Sequence, residues 1–372
     1  MRVLIDATAV PADRGGVGRY VDELVPELDR LGVDLVLATQ ARDVPHYAAL
    51  APGARVVGAP AAIGRRPVRM AWEQVGLPAL ARRVRADVVH SPHYTMPLAA
   101  GRPVVVTLHD ATFFTSPELH LRSKAVFFRT ATRLAARRAA ALVVPSRATR
   151  DEVAAQVALD PARMTVVHHG VDLGRFRPTD DAEQARVRAT LDIGDRPYVG
   201  FLGTLEPRKN VPALIRAWVR ACAGTAHAPA LVLAGARGWD DAIATALAEV
   251  PADLVVRTPG YLPLDDLPGF LGGASVLAYP SLGEGFGLPV LEAMACGATV
   301  LTTRELSLPE VGGDAVAYCG TDAAAIADGL RALLDDPARR AALGASALER
   351  ARTFTWARAA EEHRAVYARA AR

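Results

Sequence analysis

Short apolar runs recur along this chain at intervals that suit helices. In the first half they are Arg2 to Ala7, Leu35 to Ala38, Asp87 to His90, Val104 to Leu108 and Leu142 to Pro145, separated by segments of helical composition rich in Ala, Arg and Leu. In the second half they are Tyr198 to Gly203, Leu231 to Gly235, Leu254 to Val256, Ala274 to Tyr279 and Val300 to Thr302. Strands this apolar, joined through helices, pair in parallel and are covered on both faces. The expected fold is α/β with doubly wound parallel sheets, which bind ligands outside the carboxyl ends of their strands. A chain of 372 residues is long for one such core, and the pattern breaks off at Val166 to Asp172 before a polar, strandless stretch from Phe176 to Asp195. A domain boundary is expected near 170.

Composition excludes some partners. A formal charge of +3, with no basic tract interleaved with aromatics, gives no reason to expect nucleic acid. Cys222, Cys296 and Cys319 are odd in number and lack metal-ligand spacing, which fits reduced thiols in a reducing compartment. No apolar run reaches membrane-spanning length and the N-terminus has no signal-like apolar region, so the chain reads as cytoplasmic. Between Leu119 and Ala141, Arg122, Lys124, Arg129, Arg133, Arg137 and Arg138 accompany Val126, Phe127, Phe128 and Leu134. With Arg65, Arg66 and Arg69 this is either a solvated helix face or a basic amphipathic face touching anionic lipid at the inner side of the membrane.

The stretch from Tyr279 to Gly297 carries the chemistry. An apolar run ends in a loop with glycines at 283, 285 and 287, Pro289 then opens a helical run, and Gly297 stops it. The loop therefore sits over a helix N-terminus, where unpaired N–H groups and the helix dipole favour an anion such as phosphate. Two carboxylates, Glu284 and Glu292, bracket the same turn. Carboxylates repel phosphate, so their natural targets are hydroxyls. A ligand carrying both a diphosphate and polyols, such as a nucleotide sugar, satisfies every group. Lys occurs only at 124 and 209 against a large excess of Arg, which draws attention to the adjacent Arg208 and Lys209 at a strand-to-helix turn, where they can neutralise a diphosphate leaving group.

Glu284 and Glu292 form an E-x7-E pair, and the surrounding EGFGLPVLEAMACG resembles the donor-site motif of the retaining glycosyltransferases of family 4, the group 1 enzymes, with mannosyltransferase-like wording in GTLEPRKN and SLPEVGGD. The resemblance covers nearly the whole chain. It implies a GT-B fold, two Rossmann-like domains facing a cleft: 1–170 on the acceptor side, 171–355 binding the nucleotide sugar, and a helix over 356–372 crossing back to the first domain. It implies that Glu284 and the backbone of Gly285, Phe286, Gly287 and Leu288 grip hexose and phosphate, and that Glu292 accepts ribose hydroxyls. Arg208 and Lys209 would hold the diphosphate, and Tyr261 and Leu262 would meet the nucleobase. In the first half Gly16, within Gly15-Gly16-Val17-Gly18, would lie against diphosphate and acceptor, and His109 would sit beside the donor sugar, with a core histidine bonded to Asp110 as the alternative. His90, His93 and Tyr94 are candidates for the acceptor pocket. Thr204 departs from the family pattern, where many relatives carry a second arginine.

The implied reaction moves a hexosyl group, mannosyl from GDP-mannose as the first reading and UDP-hexoses next, onto a hydroxyl of a saccharide, a lipid-linked or a small-molecule acceptor. The nucleotide sugar is a co-substrate and no cofactor is expected. No Asp-x-Asp pair occurs, so no metal clamp on the diphosphate is expected either. A nucleotide-sugar 2-epimerase on the same fold and a binding-only pseudoenzyme are the competing readings.

Overall fold

The apolar runs are gathered into two parallel sheets, one in each of the two units into which the chain divides, Met1–Gly170 with Thr355–Arg372, and Val171–Phe354. The computed structural model describes residues 1–12, 14–225 and 227–372.

In the first unit β1 (Arg2–Asp6), β2 (Asp34–Gln40), β3 (Arg55–Ala59), β4 (Val88–Ser91), β5 (Val104–Thr107), β6 (Ala141–Val144) and β7 (Met164–Val166) lie in the order β3-β2-β1-β4-β5-β6-β7. Every residue of β4 and β5 is buried, as strands covered on both faces require. The edge strand β3 is largely half-exposed. The winding reverses between β1 and β4, which makes their carboxyl ends the switch point of this sheet.

The helix Trp356–Ala370 belongs to this first unit and packs on the helix Gly16–Arg30. A chain of hydrogen bonds fixes it. His363 Nδ1 donates to the Ala359 carbonyl at 2.7 Å, so in the neutral ring Nε2 is the acceptor and takes the Tyr20 hydroxyl proton at 2.7 Å. Tyr20 meets Thr107 at 3.0 Å, Thr107 meets His90 Nε2 at 2.9 Å, and His90 Nδ1 meets the Tyr367 hydroxyl at 2.8 Å. Gly170 allows the close approach of this helix: a Cβ there would stand 2.1 Å from the backbone nitrogen of Trp356.

The second unit holds β8 (Tyr198–Leu202), β9 (Ala230–Ala234), β10 (Val256–Gly260), β11 (Val276–Tyr279), β12 (Val300–Thr303) and β13 (Ala317–Cys319), in the order β10-β9-β8-β11-β12-β13. The strand expected at Leu254 to Val256 instead begins at Val256. Leu254 is buried in a turn that closes on the Pro251 carbonyl, and β10 tolerates Pro259 because it is an edge strand. The core is built on Phe201, Trp218, Phe270 and Tyr279, all fully buried. Here the winding reverses between β8 and β11, the strands that lead to Arg208-Lys209 and to Glu284.

Candidate functional site

Lys209 and Glu284 are 75 residues apart in sequence and meet at the switch point of the second sheet. Lys209 follows β8 in a short turn, Pro207–Lys209, and Glu284 follows β11. Lys209 Nζ donates to Glu284 Oε1 at 2.6 Å and to the Tyr279 hydroxyl at 2.6 Å. Ser281 Oγ donates to the same carboxylate oxygen at 2.6 Å and Tyr279 at 3.1 Å. Arg208 Nη1 faces Glu284 Oε2 at 2.6 Å, while its Nη2 bonds Glu206 at 2.7 Å.

Both members of the central pair are buried, Lys209 at 7% and Glu284 at 7% exposure. Burial alone would raise the Glu284 pKa, but the Arg208 and Lys209 charges outweigh it and hold the carboxyl at about 2. Burial and the neighbouring Arg208 pull the Lys209 pKa down against the attraction of Glu284. The Tyr279 phenol, pushed far up by burial, stays protonated and can donate.

Arg208 and Lys209 were expected as cations facing a diphosphate, and Glu284 as an acceptor for sugar hydroxyls. The structure pairs them with one another, and Glu206, Arg208, Lys209 and Glu284 sum to zero charge. An ammonium this deeply buried would be costly without a counter-charge.

The loop that carries Glu284 is held from behind. Ser307 Oγ reaches the carbonyls of Glu284 at 2.7 Å and Phe286 at 2.8 Å, Thr303 donates to the Ser281 carbonyl at 2.7 Å, and Arg208 Nη1 reaches the Gly283 carbonyl at 2.6 Å. After buried Gly285, the loop runs into the helix Leu288–Ala295 through Gly287, whose φ of 104° suits only glycine. No side chain caps this helix, so its dipole and first N–H groups end at Gly287 and Leu288, beside the ionic cluster. The Phe286 ring points into the core, edge-on to Phe354 at 5.9 Å, so only its backbone can serve a ligand. Glu292 lies within the helix at 3% exposure. At the end of β10 Tyr261 is 66% exposed, whereas the Leu262 side chain belongs to the core and leaves its backbone for a nucleobase edge. Thr204 is exposed.

In the first unit, Gly16 is exposed and opens the helix Gly16–Arg30; its N-cap Gly15 offers no side chain, and no atom lies within 4 Å of a Cβ placed on either glycine. His109 is half-buried just beyond β5 and donates Nε2–H to the Pro92 carbonyl at 2.7 Å, not to Asp110, whose carboxylate accepts from Thr112. Burial lowers its pKa, so the ring is neutral with an acceptor lone pair on Nδ1. Two acceptor-pocket candidates fail. His90 is wholly buried in the hydrogen-bond chain to Tyr367, and Tyr94 is buried with its hydroxyl on the Asp110 backbone. His93 alone stays half-exposed.

Sequence reasoning did not assign a role to Tyr279, Ser281, Glu206 or Ser307. The first two lie inside the quoted glycine-loop stretch, where polar side chains at a strand's carboxyl end are a usable signal. Ser307 has no local mark.

Comparisons with known proteins show the family and the fold. Residues 14–175 match the family model described as Glycosyltransferase Family 4, and residues 183–350 that of Glycosyl transferases group 1. The O-antigen chain mannosyltransferase B of Escherichia coli is 32% identical over 292 residues, 78% of this chain and 74% of its own. The D-inositol 3-phosphate glycosyltransferase 1 of Catenulispora acidiphila is 30% identical over 401 residues, 98% of this chain and 94% of its own. Among solved structures, Anabaena Alr3699/HepE in complex with UDP-glucose superposes with a TM-score of 0.78 at 18% identity, covering 99% of both chains. WaaG, a glycosyltransferase involved in lipopolysaccharide biosynthesis, gives 0.73 at 17% identity over 98% of this chain and 99% of its own.

Proposed function

The chain belongs to the family 4, group 1 glycosyltransferases of GT-B fold, and on that footing we propose that it moves a hexosyl group from a nucleoside-diphosphate sugar to a hydroxyl acceptor with retention at the anomeric carbon. The observation that carries this reading is the ionic cluster of Lys209, Arg208 and Glu284 beside an uncapped helix N-terminus. An arriving diphosphate competes with Glu284 for Arg208 and Lys209 and takes the N–H groups at Gly287 and Leu288. Glu284, relieved of its cations, turns to the hexose hydroxyls, and Glu292 accepts those of the ribose. Recognition of anion and polyol is thus one exchange of partners.

In the transfer itself the bond between the anomeric carbon and the phosphate oxygen breaks with its electron pair staying on phosphate, and a new bond forms from the acceptor oxygen on the same face. The acceptor's proton passes to the departing phosphate oxygen. Negative charge grows on the leaving group, so Arg208, Lys209 and the helix dipole favour the transition state over the bound donor; fixed donors of this kind are worth a few kcal/mol, about 3 for one group. Arg208 and Lys209 do here what a metal clamp does elsewhere. Gly16 and His109, on the first unit, serve the acceptor side.

The Escherichia coli relative is named as a mannosyltransferase, which with the sequence's first reading makes GDP-mannose the first donor to test. Thermal-shift screening against GDP-, UDP-, ADP- and TDP-sugars identifies the nucleotide, since a ligand that binds only the folded state raises its melting temperature. Turnover should be lost in Glu284→Gln and Lys209→Ala, and NMR of the product should show the donor's anomeric configuration. Near-normal turnover in both variants would remove this assignment.

Among the described residues no helix is long and apolar enough to cross a membrane. The helix Arg122–Arg138 exposes Val126 at 62% and Leu134 at 37% among its arginines, with Leu121 at 50% just before it, which supports peripheral contact with anionic lipid.

A further inference from the structure

Two buried polar atoms at the switch point of the first sheet have no protein partner. Asp6 ends β1 and Ser91 ends β4, and they lie side by side because Ile5 pairs with His90 in register. Ser91 is 2% exposed and its Oγ makes no hydrogen bond; two residues on, the buried Nδ1 of His93 makes none either. Between them Tyr94 holds a left-handed φ of 45°. Interior hydroxyls and imidazoles are almost always paired, so two orphans within three residues call for a partner from outside the chain. They stand where a doubly wound sheet binds its ligand.

The surroundings say what kind of partner fits. Glu73 accepts from Thr95 Oγ1 at 2.6 Å, from Arg69 at 3.2 Å and from Gln74 at 3.0 Å, and Asp6 accepts from the Thr8 hydroxyl at 2.6 Å. Burial, and for Glu73 also the charge of Asp6, raises both carboxyl pKa values. Arg69 is committed to Glu73, and Arg66 lies over the Phe127 ring at 5.1 Å. Burial and the charges of His109 and Arg69 push His93 down to about 3, so it supplies no cation. A phosphate placed here would meet the Asp6 and Glu73 carboxyl groups, and the Arg69 guanidinium beside them is already held by Glu73. A hydroxyl both donates and accepts, as Ser91 Oγ and an imidazole nitrogen do.

We propose that Ser91 and His93 receive hydroxyl groups of the acceptor, and that the part of the acceptor held there is an uncharged polyol, a hexose or cyclitol without phosphate. This rests on the glycosyl-transfer reading above, and it separates the chemistries named for the two curated relatives, a polysaccharide chain and an inositol phosphate.

The test uses the full chain with excess nucleotide sugar and matched acceptors: methyl α-mannoside and myo-inositol against mannose 6-phosphate and myo-inositol 1-phosphate. The neutral member of a pair should bind or turn over at least about ten-fold better. Ser91→Ala and His93→Phe should each raise its KM about ten-fold, the effect of one hydrogen bond lost in a buried site, with donor KM unchanged. Ser91→Ala should keep or raise the melting temperature, because it removes an unpaired hydroxyl; a structural serine would lower it. Preference for the phosphorylated member, an unchanged acceptor KM in both variants, or no binding of any of the four would overturn the proposal. Stabilisation by the nucleotide sugar is read separately, so its failure falls on the donor assignment and not on Ser91 and His93.

Discussion

Replacing Glu284 by glutamine tests how the donor loop is held together. The carboxyl's fall from an ordinary 4.5 to about 2 corresponds to about 3 kcal/mol in favour of the charged form. Glutamine keeps the shape and an acceptor oxygen but removes that charge, leaving the buried Lys209 ammonium without the carboxylate that neutralises it. Breaking one side of a buried pair costs about 3–5 kcal/mol. For a unit the size of Val171–Phe354 this lowers the melting temperature by roughly 10 °C. The sign with pH follows from the depressed pKa. The stabilisation is fully present above 4.5 and is lost as pH falls toward 2, so the gap between parent and variant narrows below pH 4.5. Urea unfolding followed by tryptophan fluorescence reads it, with Trp218 in the core of this unit as reporter. Adding Lys209→Met removes the stranded ammonium and should return much of the loss. A glutamine variant within about 0.5 kcal/mol of the parent at pH 7, or a deficit unaffected by Lys209→Met, would refute the buried-pair account.

Other perturbations reach different parts of the molecule. His363 is pushed down to about 4 by burial, so the unfolded chain takes up a proton that the folded one refuses; stability should fall by up to about 3 kcal/mol as pH drops from 6.5 to 4, and His363→Gln should make that slope shallower. Gly170→Ala sets a methyl against the Trp356 backbone and should destabilise the first unit by about 2–3 kcal/mol, with faster amide exchange over 356–370; unchanged exchange would count against the contact. Ser307→Ala frees the carbonyls of Glu284 and Phe286 and should raise the donor KM about ten-fold while acceptor KM stays, measured by steady-state kinetics.

The strands were readable because a buried parallel strand is continuously apolar: Val104 to Leu108 and Ala274 to Tyr279 announced β5 and β11 nearly to the residue. Edge strands were not. β3 is half-exposed and its run from Val56 to Ala59 continues through Pro60 into further apolar residues that mark no strand end, and β10 was displaced because the hydrophobic Leu254 serves a turn. In the site, residue types were legible but partners were not. Glutamate, lysine and arginine at helix-facing loops indicate anion and polyol chemistry, yet nothing local reveals that Lys209 and Glu284 neutralise each other across 75 residues. The same limit applies to the histidines. His90 and His93 look alike at a strand end, and only the arrival of Tyr367 from the far C-terminus buries the first as a core hydrogen-bond partner.

Calorimetric titration of GDP-mannose and UDP-glucose into the parent and into Lys209→Ala bears most directly on the exchange of Glu284 for diphosphate. One of these sugars should bind one to one, and the substitution should weaken it by at least about thirty-fold, some 2 kcal/mol, as expected for a lost charge-assisted contact. Equal affinity in the two proteins, or no heat from either sugar, would contradict it.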